Sequence, residues 1–227
     1  MIVMSNHPQS EKYHQFISPL SKDFYQEMVN CMTHGMGLLF SIIALILLLI
    51  KSVHQNDVWQ IISYSIYGFT LIFLYFSSSL YHGLADPDIK RKFRILDHVA
   101  IYLLIAGSYT PLTLLAMRGT GGWILFGIVW GLAILGIIIQ LFFFGKLKIV
   151  SLCLYMGMGW SVITTFKTLL NSIPPGMMRW IIAGGVSYTV GIIFYLASKI
   201  PFHHGIWHLF VLFGSFAHFM AFFLYLS

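Results

Sequence analysis

The sequence predicts an all-α integral membrane protein, a bundle of seven transmembrane helices. Hydrophobic residues make up 58% of the 227 residues and charged residues only 9%, whereas about a quarter of an average soluble domain is charged. The mean hydropathy is +0.83. Seven apolar segments follow one another along the chain, and each is long enough, at roughly 20 residues, to cross a bilayer as a helix.

The chain begins with a polar arm, residues 1–26, and continues as a transmembrane domain, residues 27–227. The arm lacks the basic start and compact apolar core of a cleaved signal peptide. We therefore expect it to stay attached and to lie outside the hydrocarbon, on the cytoplasmic side. The seven predicted spans lie near residues 31–50, 60–82, 95–117, 122–144, 149–170, 180–198 and 204–226.

Short polar or turn-forming segments separate these spans. They contain the Gly, Pro, Asp and Lys residues typical of turns, and they cover residues 51–57, 85–92, 119–122, 145–148, 174–176 and 199–201. Loops this short require neighbouring helices to be antiparallel. Pro111 interrupts the backbone hydrogen bonding of the third span, so we expect a kink beyond Gly107 that opens a lateral cavity.

The distribution of Lys and Arg predicts the orientation of the bundle. With the N-terminus inside, nine basic residues lie on inner segments: Lys12, Lys22, Lys90, Arg91, Lys92, Arg94, Lys146, Lys148 and Lys199. Three lie on outer loops, namely Lys51, Arg118 and Arg179, and Lys167 lies near the outer end of the fifth span. This excess favours a cytoplasmic N-terminus and an outside C-terminus. The net charge of +6 is thus explained by topology, not by a nucleic-acid partner.

This topology brings polar side chains from four helix ends to one level, just inside the cytoplasmic face. They are Glu27, Asn30 and His34 on the first span, His82 at the end of the second, Asp97 and His98 at the start of the third, and His204 and His208 at the start of the seventh. Ionisable residues in spans are costly and usually face the bundle interior. The cluster is therefore a candidate functional site.

The histidines of this cluster suit a zinc ion. His204 and His208 are four residues apart and share one helix face, and His82 adds a third imidazole, a ligand set that leaves zinc an open position for water. Such water has a pKa of about 7. Asp97 is a candidate proton acceptor or orienting group, and Ser78 a candidate hydrogen-bond donor to a developing oxyanion. Thiolate ligands and a calcium-type carboxylate cage are absent from the sequence pattern.

Each of these residues also has a simpler interpretation. His82 alone would be expected to extend to the membrane interface, and Asp97 alone could stabilise a helix N-terminus or pair with Arg94. Glu27 and Asn30 are expected to brace the site and not to bind the metal. His98 and His203 are expected to lie outside the metal site. His34 and His218 are expected to be satisfied by neighbouring helices and not to bind the metal.

Five motifs occur in order along the chain. They are Glu27-x-x-Asn30-x-x-x-His34-Gly35, Ser78-Ser79-Leu80-Tyr81-His82, Leu96-Asp97-His98, Gly107-Ser108-Tyr109-Thr110-Pro111 and His204-Gly205-Ile206-Trp207-His208. Together they resemble the bacterial hemolysin III family, which belongs with the progestin and adipoQ receptors, adiponectin receptors included, and is more distantly similar to alkaline ceramidases. The resemblance covers all seven spans. It implies that His82, His204 and His208 bind zinc, that Asp97 lies close to the metal-bound water, and that the N-terminus is inside.

Three functions are compatible with these features. The first is a zinc-dependent hydrolase of a lipid-like amide or ester, with the metal-bound water as nucleophile. The second is a lipid or membrane-state sensor in which zinc is structural, and the third is membrane lysis, as the family name suggests. A bis-histidine haem site is a further alternative for the histidines. The expected partner is a membrane lipid, and the expected location is the bacterial plasma membrane.

Two pairs of small residues suggest close helix packing. Gly127-x-x-x-Gly131 in the fourth span and Ser187-x-x-x-Gly191 in the sixth would let another helix approach closely. The spacing does not distinguish packing within the bundle from a homo-oligomer.

Overall fold

The computed structural model describes residues 22–226, which form eight α-helices and, among the described residues, no β-strand. The helices are α1 (Lys22–His54), α2 (Val58–Gly83), α3 (Pro87–Pro111), α4 (Thr120–Phe143), α5 (Lys148–Gly159), α6 (Phe166–Ser172), α7 (Pro175–Leu196) and α8 (His203–Tyr225). A π-helical turn, Leu112–Ala116, extends α3, and a 3-10 turn, Ser161–Thr165, joins α5 to α6. In this part of the chain, seven helical segments are long and apolar enough to cross a membrane, which confirms the predicted fold class.

The first helix is longer than predicted. It begins at Lys22, whereas the hydropathy places the first span near residue 31. Residues 22–30 are too polar for hydrocarbon but contain neither Gly nor Pro, so the helix continues beyond the apolar segment. The boundary predicted at residue 27 therefore falls inside α1, and the rest of the predicted arm, residues 1–21, lies outside the described residues.

Capping residues fix the N-terminal ends of α2 and α3. The side chain of Asp57 accepts hydrogen bonds from the backbone amides that open α2, and the side chain of Asp86 does the same for α3, which has Pro87 in its first turn. Both are favoured helix-start residues. Because only residues 84–86 separate the two helices, His82 in the last turn of α2 and Asp97 in the third turn of α3 lie at the same end of the bundle.

The fifth span is broken, although the sequence predicted one continuous helix over 149–170. Gly157 and Gly159 have low helix propensity, and the 3-10 turn that follows is rich in β-branched residues. Tyr109 stabilises the break from α3. Its hydroxyl donates a hydrogen bond to the Gly159 carbonyl at 2.8 Å and accepts one from the Val162 amide at 3.1 Å.

The packing of the spans leaves a large cavity. Helices α1, α2, α3 and α4 pack in chain order, and α8 packs against α7 and α1. The fifth span is little buried, and α7 rests mainly on α8. A cavity of about 800 Å³ therefore lies between α3, the fifth span, α7 and α8. The distortion expected at Pro111 takes the form of the π turn that directly follows it, and Leu112 of this turn lines the cavity.

The two pairs of small residues have different surroundings. Ser187 donates a hydrogen bond to the Phe210 carbonyl at 2.7 Å, and a Cβ added at Gly191 would meet Phe210 and Trp207. This pair therefore serves packing of α7 on α8. A Cβ added at Gly127 or Gly131 would meet no atom within 4 Å, so the other pair faces away from the described part of the bundle.

Candidate metal centre

Three histidines from two helices converge at the end of the bundle where α2 ends and α8 begins. One ring nitrogen from each of His82, His204 and His208 lies within 4.8 Å of the others. The ring centroids are 5.0 Å apart for His82 and His204, 5.2 Å for His82 and His208, and 4.6 Å for His204 and His208. Among residues 22–226 this is the only such group of His, Cys, Asp or Glu side chains.

Glu27 orients the ring of His82. The Glu27 carboxylate lies 2.8 Å from Nδ1 of His82, and the same oxygen accepts a hydrogen bond from Lys90 Nζ at 3.1 Å. A carboxylate partner keeps the proton on Nδ1. The Nε2 atom is then left as the potential ligand, and it is buried without a hydrogen-bond partner among the described residues.

His208 is held in a similar way by the backbone of α1. Its Nδ1 lies 3.2 Å from the Asn30 carbonyl and 3.1 Å from the Thr33 hydroxyl. Because a carbonyl can only accept, Nδ1 carries the proton and Nε2 is free to bind a cation. Thr33 has no place in the sequence prediction, although it lies three residues after Asn30, on a neighbouring part of the same helix face.

These residues fit a zinc ion. Nε2 of His204, like that of His82, is buried and makes no hydrogen bond within the described residues. A buried nitrogen without a partner is costly, and coordination of a cation would satisfy it. Three imidazoles are also a common ligand set for zinc in sites that keep one position open.

Asp97 lies near His82, one of the three histidines. It is 8% exposed and lines the cavity together with His204 and His208. Its Oδ2 atom is 3.9 Å from Nδ1 of His98, and it also interacts electrostatically with His82. The structure therefore places a buried carboxylate near His82, on the wall of the cavity that His204 and His208 also line.

The Ser78 hydroxyl lies one helical turn before His82. It is fully buried and near enough to interact with Asp97, but it does not meet hydrogen-bond geometry with any described residue. Proximity alone does not make a hydrogen bond, which also requires alignment of donor and acceptor. The hydroxyl proton is therefore not used in a hydrogen bond to any described residue.

Asn30 packs against the first turn of α8. Its side-chain oxygen is buried without a hydrogen-bond partner in the described residues, and a Cβ added at Gly205 would lie 3.2 Å from it. Asn30 thus touches α8 through both its side chain and its backbone. Glu27 and Asn30 together connect α1 to both helices that carry the histidines.

His34 is closer to the site than the sequence suggested. Its ring stacks on His208, with centroids 3.5 Å apart and an interplanar angle of 14°, and it meets the edge of Tyr75 at 5.1 Å. Both ring nitrogens are buried without hydrogen bonds to described residues, so neighbouring helices do not satisfy them as expected. A signal was present, because His34 follows Asn30 by four residues and Glu27 by seven, on one helix face.

Two other histidines stay outside the group, as expected. The Nδ1 atom of His98 lies 2.8 Å from the Arg94 carbonyl, and that of His203 lies 3.1 Å from the Phe194 carbonyl. Neither residue belongs to the group whose ring nitrogens converge.

Comparisons with known proteins identify the family. The model for "Haemolysin-III related" proteins matches residues 22–219. The chain is 44% identical over 191 residues to Hemolysin-3 of Bacillus cereus, covering 84% of this chain and 87% of that protein. It is 43% identical over 196 residues to the Hemolysin-3 homolog of Bacillus subtilis (strain 168), covering 86% and 92%. Human monocyte to macrophage differentiation factor is 30% identical over 208 residues, covering 89% and 85%.

These matches agree with the structure. The family match runs from the start of α1 to residue 219 in α8 and therefore includes all three histidines. Seven spans together with bacterial relatives of similar length indicate an integral protein of the bacterial plasma membrane. The chain belongs to the haemolysin-III related family of seven-helix membrane proteins.

Proposed function

We propose that this protein is a zinc-dependent membrane hydrolase that cleaves a lipid-like amide or ester. One observation carries the proposal. His82, His204 and His208 converge, and the buried carboxylate of Asp97 lies near His82 in the wall of a mainly apolar cavity that His204 and His208 also line. Such a cavity can hold an acyl chain while its polar end holds the bond to be cleaved.

The histidines would hold the metal through Nε2. Glu27 keeps the proton of His82 on the opposite nitrogen, and the Asn30 carbonyl does so for His208. A zinc ion bound in this way lowers the pKa of water to about 7 and polarises a carbonyl group.

The chain's own residues would then handle the protons. Asp97 would accept a proton at its carboxylate, because it faces the cavity next to the histidines. The unpaired Ser78 hydroxyl would donate a hydrogen bond to the oxygen on which negative charge develops. The apolar walls exclude bulk water and so strengthen both interactions.

The test combines metal analysis with turnover of an acyl amide or ester by purified protein. We expect His204→Ala to lose zinc and turnover together, since one of three ligands is gone. We expect Asp97→Asn to keep zinc and lose at least about 100-fold in turnover, the usual contribution of a positioned base.

His203→Ala is the matched control, because it removes the adjacent histidine that lies outside the group. It should keep both zinc and turnover. Undiminished turnover in Asp97→Asn would contradict the role of the carboxylate, and turnover in a zinc-free His204→Ala protein would contradict the metal mechanism.

A sensor with structural zinc is the second candidate. The observation that favours it is the connection of three helices at the site, since Glu27 on α1 bonds His82 on α2 and the Asn30 carbonyl bonds His208 on α8. A metal there would stabilise the bundle even without chemistry. In that case His82→Ala would lower the melting temperature along with metal content, and the wild type would consume no lipid.

Membrane lysis is a third candidate, suggested by the name Hemolysin-3 of the Bacillus cereus relative. The cavity is apolar along most of its length, unlike the charged or carbonyl-lined path of an ion channel. Metal-independent release of dye from liposomes by the purified protein would favour lysis over hydrolysis.

A further inference from the structure

The cavity has a cationic mouth. Four cationic side chains line it at the end where α3 and α5 begin: Lys90, Arg91, Arg94 and Lys148. Among the described residues, Asp97 is the only carboxylate that lines the cavity. The end nearest the histidines therefore carries an excess of positive charge.

Most of this charge is not neutralised. Lys90 pairs with Glu27, but Arg91, Arg94 and Lys148 form no salt bridge with any residue in 22–226. The guanidinium of Arg94 lies over the ring of Phe144, 5.6 Å from its centroid, and Phe144 also lines the cavity. This cation-π contact holds Arg94 at the mouth.

Along α3 the side chains that line the cavity change from cationic to acidic to apolar, an order that matches an amphipathic molecule. Arg91 and Arg94 come first, Asp97 next, and the apolar residues Ile101 and Leu104 follow; all five line the cavity. At a rise of about 1.5 Å per residue, Arg94 lies about 4.5 Å and Arg91 about 9 Å along the axis from Asp97. An anionic group and an acyl carbonyl separated by a few covalent bonds would span this distance.

We propose that the substrate is an acyl lipid that bears a phosphate group a few atoms from its ester or amide. The phosphate lies against Arg91, Arg94 and Lys148, the carbonyl lies at the level of Asp97, and the acyl chain extends along the apolar wall. Arg is well suited to this role because its planar fork binds phosphate oxygens in pairs. For an ester, hydrolysis consumes one water, breaks the acyl C–O bond, and yields a fatty acid and a phosphate-bearing alcohol.

This proposal rests on the proposed hydrolase function, but the headgroup site can be tested by binding alone. Basic residues gather at a cytoplasmic membrane face whether or not they bind a ligand. Lys146 provides the comparison, since it is exposed between α4 and α5, at the same end of the bundle, but does not line the cavity.

The experiment measures the binding of two lipids to the purified protein in neutral detergent, a monoacylglycerol phosphate and the monoacylglycerol with the same chain. We expect the wild type to bind the phosphate lipid at least about tenfold more tightly, as charge-assisted hydrogen bonds predict. The double variant Arg91→Gln/Arg94→Gln should lose most of this preference while keeping its zinc content. Lys146→Gln should keep the preference.

Equal binding of the two lipids to the wild type would overturn the headgroup site, as would an equal loss of preference in Lys146→Gln. Displacement of the lipid by inorganic phosphate alone, at the same concentration, would overturn the choice of a lipid. Hydrolysis is followed in the same samples. Preference without hydrolysis of either lipid would contradict the hydrolase but support the headgroup site, whereas equal binding with hydrolysis of both would contradict the headgroup site alone.

Discussion

At the scale of single residues, the carboxylate of Glu27 determines which nitrogen of His82 faces the other two histidines. It holds Nδ1 at 2.8 Å and receives a second interaction from Lys90 on α3. Carboxylate partners of this kind fix the ring and raise the basicity of the ligand nitrogen. Under the proposed metal binding, Glu27 would influence the site without contributing a ligand to it.

We expect Glu27→Gln to lower zinc affinity about 10- to 100-fold, the usual effect of removing such a partner. Glutamine can still accept a hydrogen bond from Nδ1, but it lacks the charge that raises the basicity of the ring. Competition with a chelator of known affinity measures the change. As a control, Asp88→Asn removes a carboxylate from the exposed first turn of α3 and should leave the zinc affinity unaltered. An unaltered zinc affinity in Glu27→Gln would contradict the role of Glu27.

The sequence carried enough information to place the three histidines, but not the neighbour that stacks on one of them. The four-residue spacing of His204 and His208 and the position of His82 at a helix end are visible in the sequence. The stacking of His34 on His208 depends on how closely α1 approaches α8, and this distance is set by packing at residues such as Gly37, where a Cβ would meet Tyr75 and Leu212. Spacing within one helix contains no such information.

At the scale of helices, hydropathy predicted where the spans lie because apolar length is a direct requirement of the bilayer. It did not predict where a helix extends beyond its apolar segment, as α1 does by beginning at Lys22. It also missed the break after Gly159, although two glycines and a run of β-branched residues marked it. The break depends on Tyr109 of another helix, which satisfies the backbone groups that the break exposes.

Two glycines on α4 allow a direct test of helix packing. A Cβ at Gly136 would overlap the buried ring of Tyr102 on α3, whereas a Cβ at Gly131 would meet nothing within 4 Å. We expect Gly136→Ala to lower the free energy of unfolding by about 1–3 kcal/mol through overpacking. Gly131→Ala should be neutral or slightly stabilising, because Ala is the better helix former by about 1 kcal/mol.

Thermal unfolding in detergent measures both variants. A fall in melting temperature confined to Gly136→Ala is the expected result. An equal fall in Gly131→Ala would show that its face of α4 is covered, for example by a second copy of the chain.

At the scale of the whole molecule, the site and the cationic mouth lie at one end of the bundle. The excess of Lys and Arg at this end favours its placement in the cytoplasm. Because the number of spans is odd, the C-terminus then lies on the opposite side of the membrane.

We therefore expect a reporter that is active only outside the cytoplasm to be active when fused after residue 227. The same reporter fused within the loop between α2 and α3 should be inactive. Activity only in the loop fusion would show the opposite orientation, with the candidate metal centre at the outer face.

The positions of the histidines also bear on how the protein is made. His82 belongs to α2 and enters the membrane early in synthesis, but His204 and His208 belong to α8, which follows six other spans in the described part of the chain. At the opposite end of the bundle, the carbonyls of Phe223 and Leu226 accept hydrogen bonds from Lys51 on α1 and Tyr64 on α2. The helix α8 is therefore bonded to two helices that are inserted long before it. Under the proposed metal binding, a nascent chain acquires a complete ligand set only after α8 has been inserted, so metal uptake follows the insertion of all seven described spans.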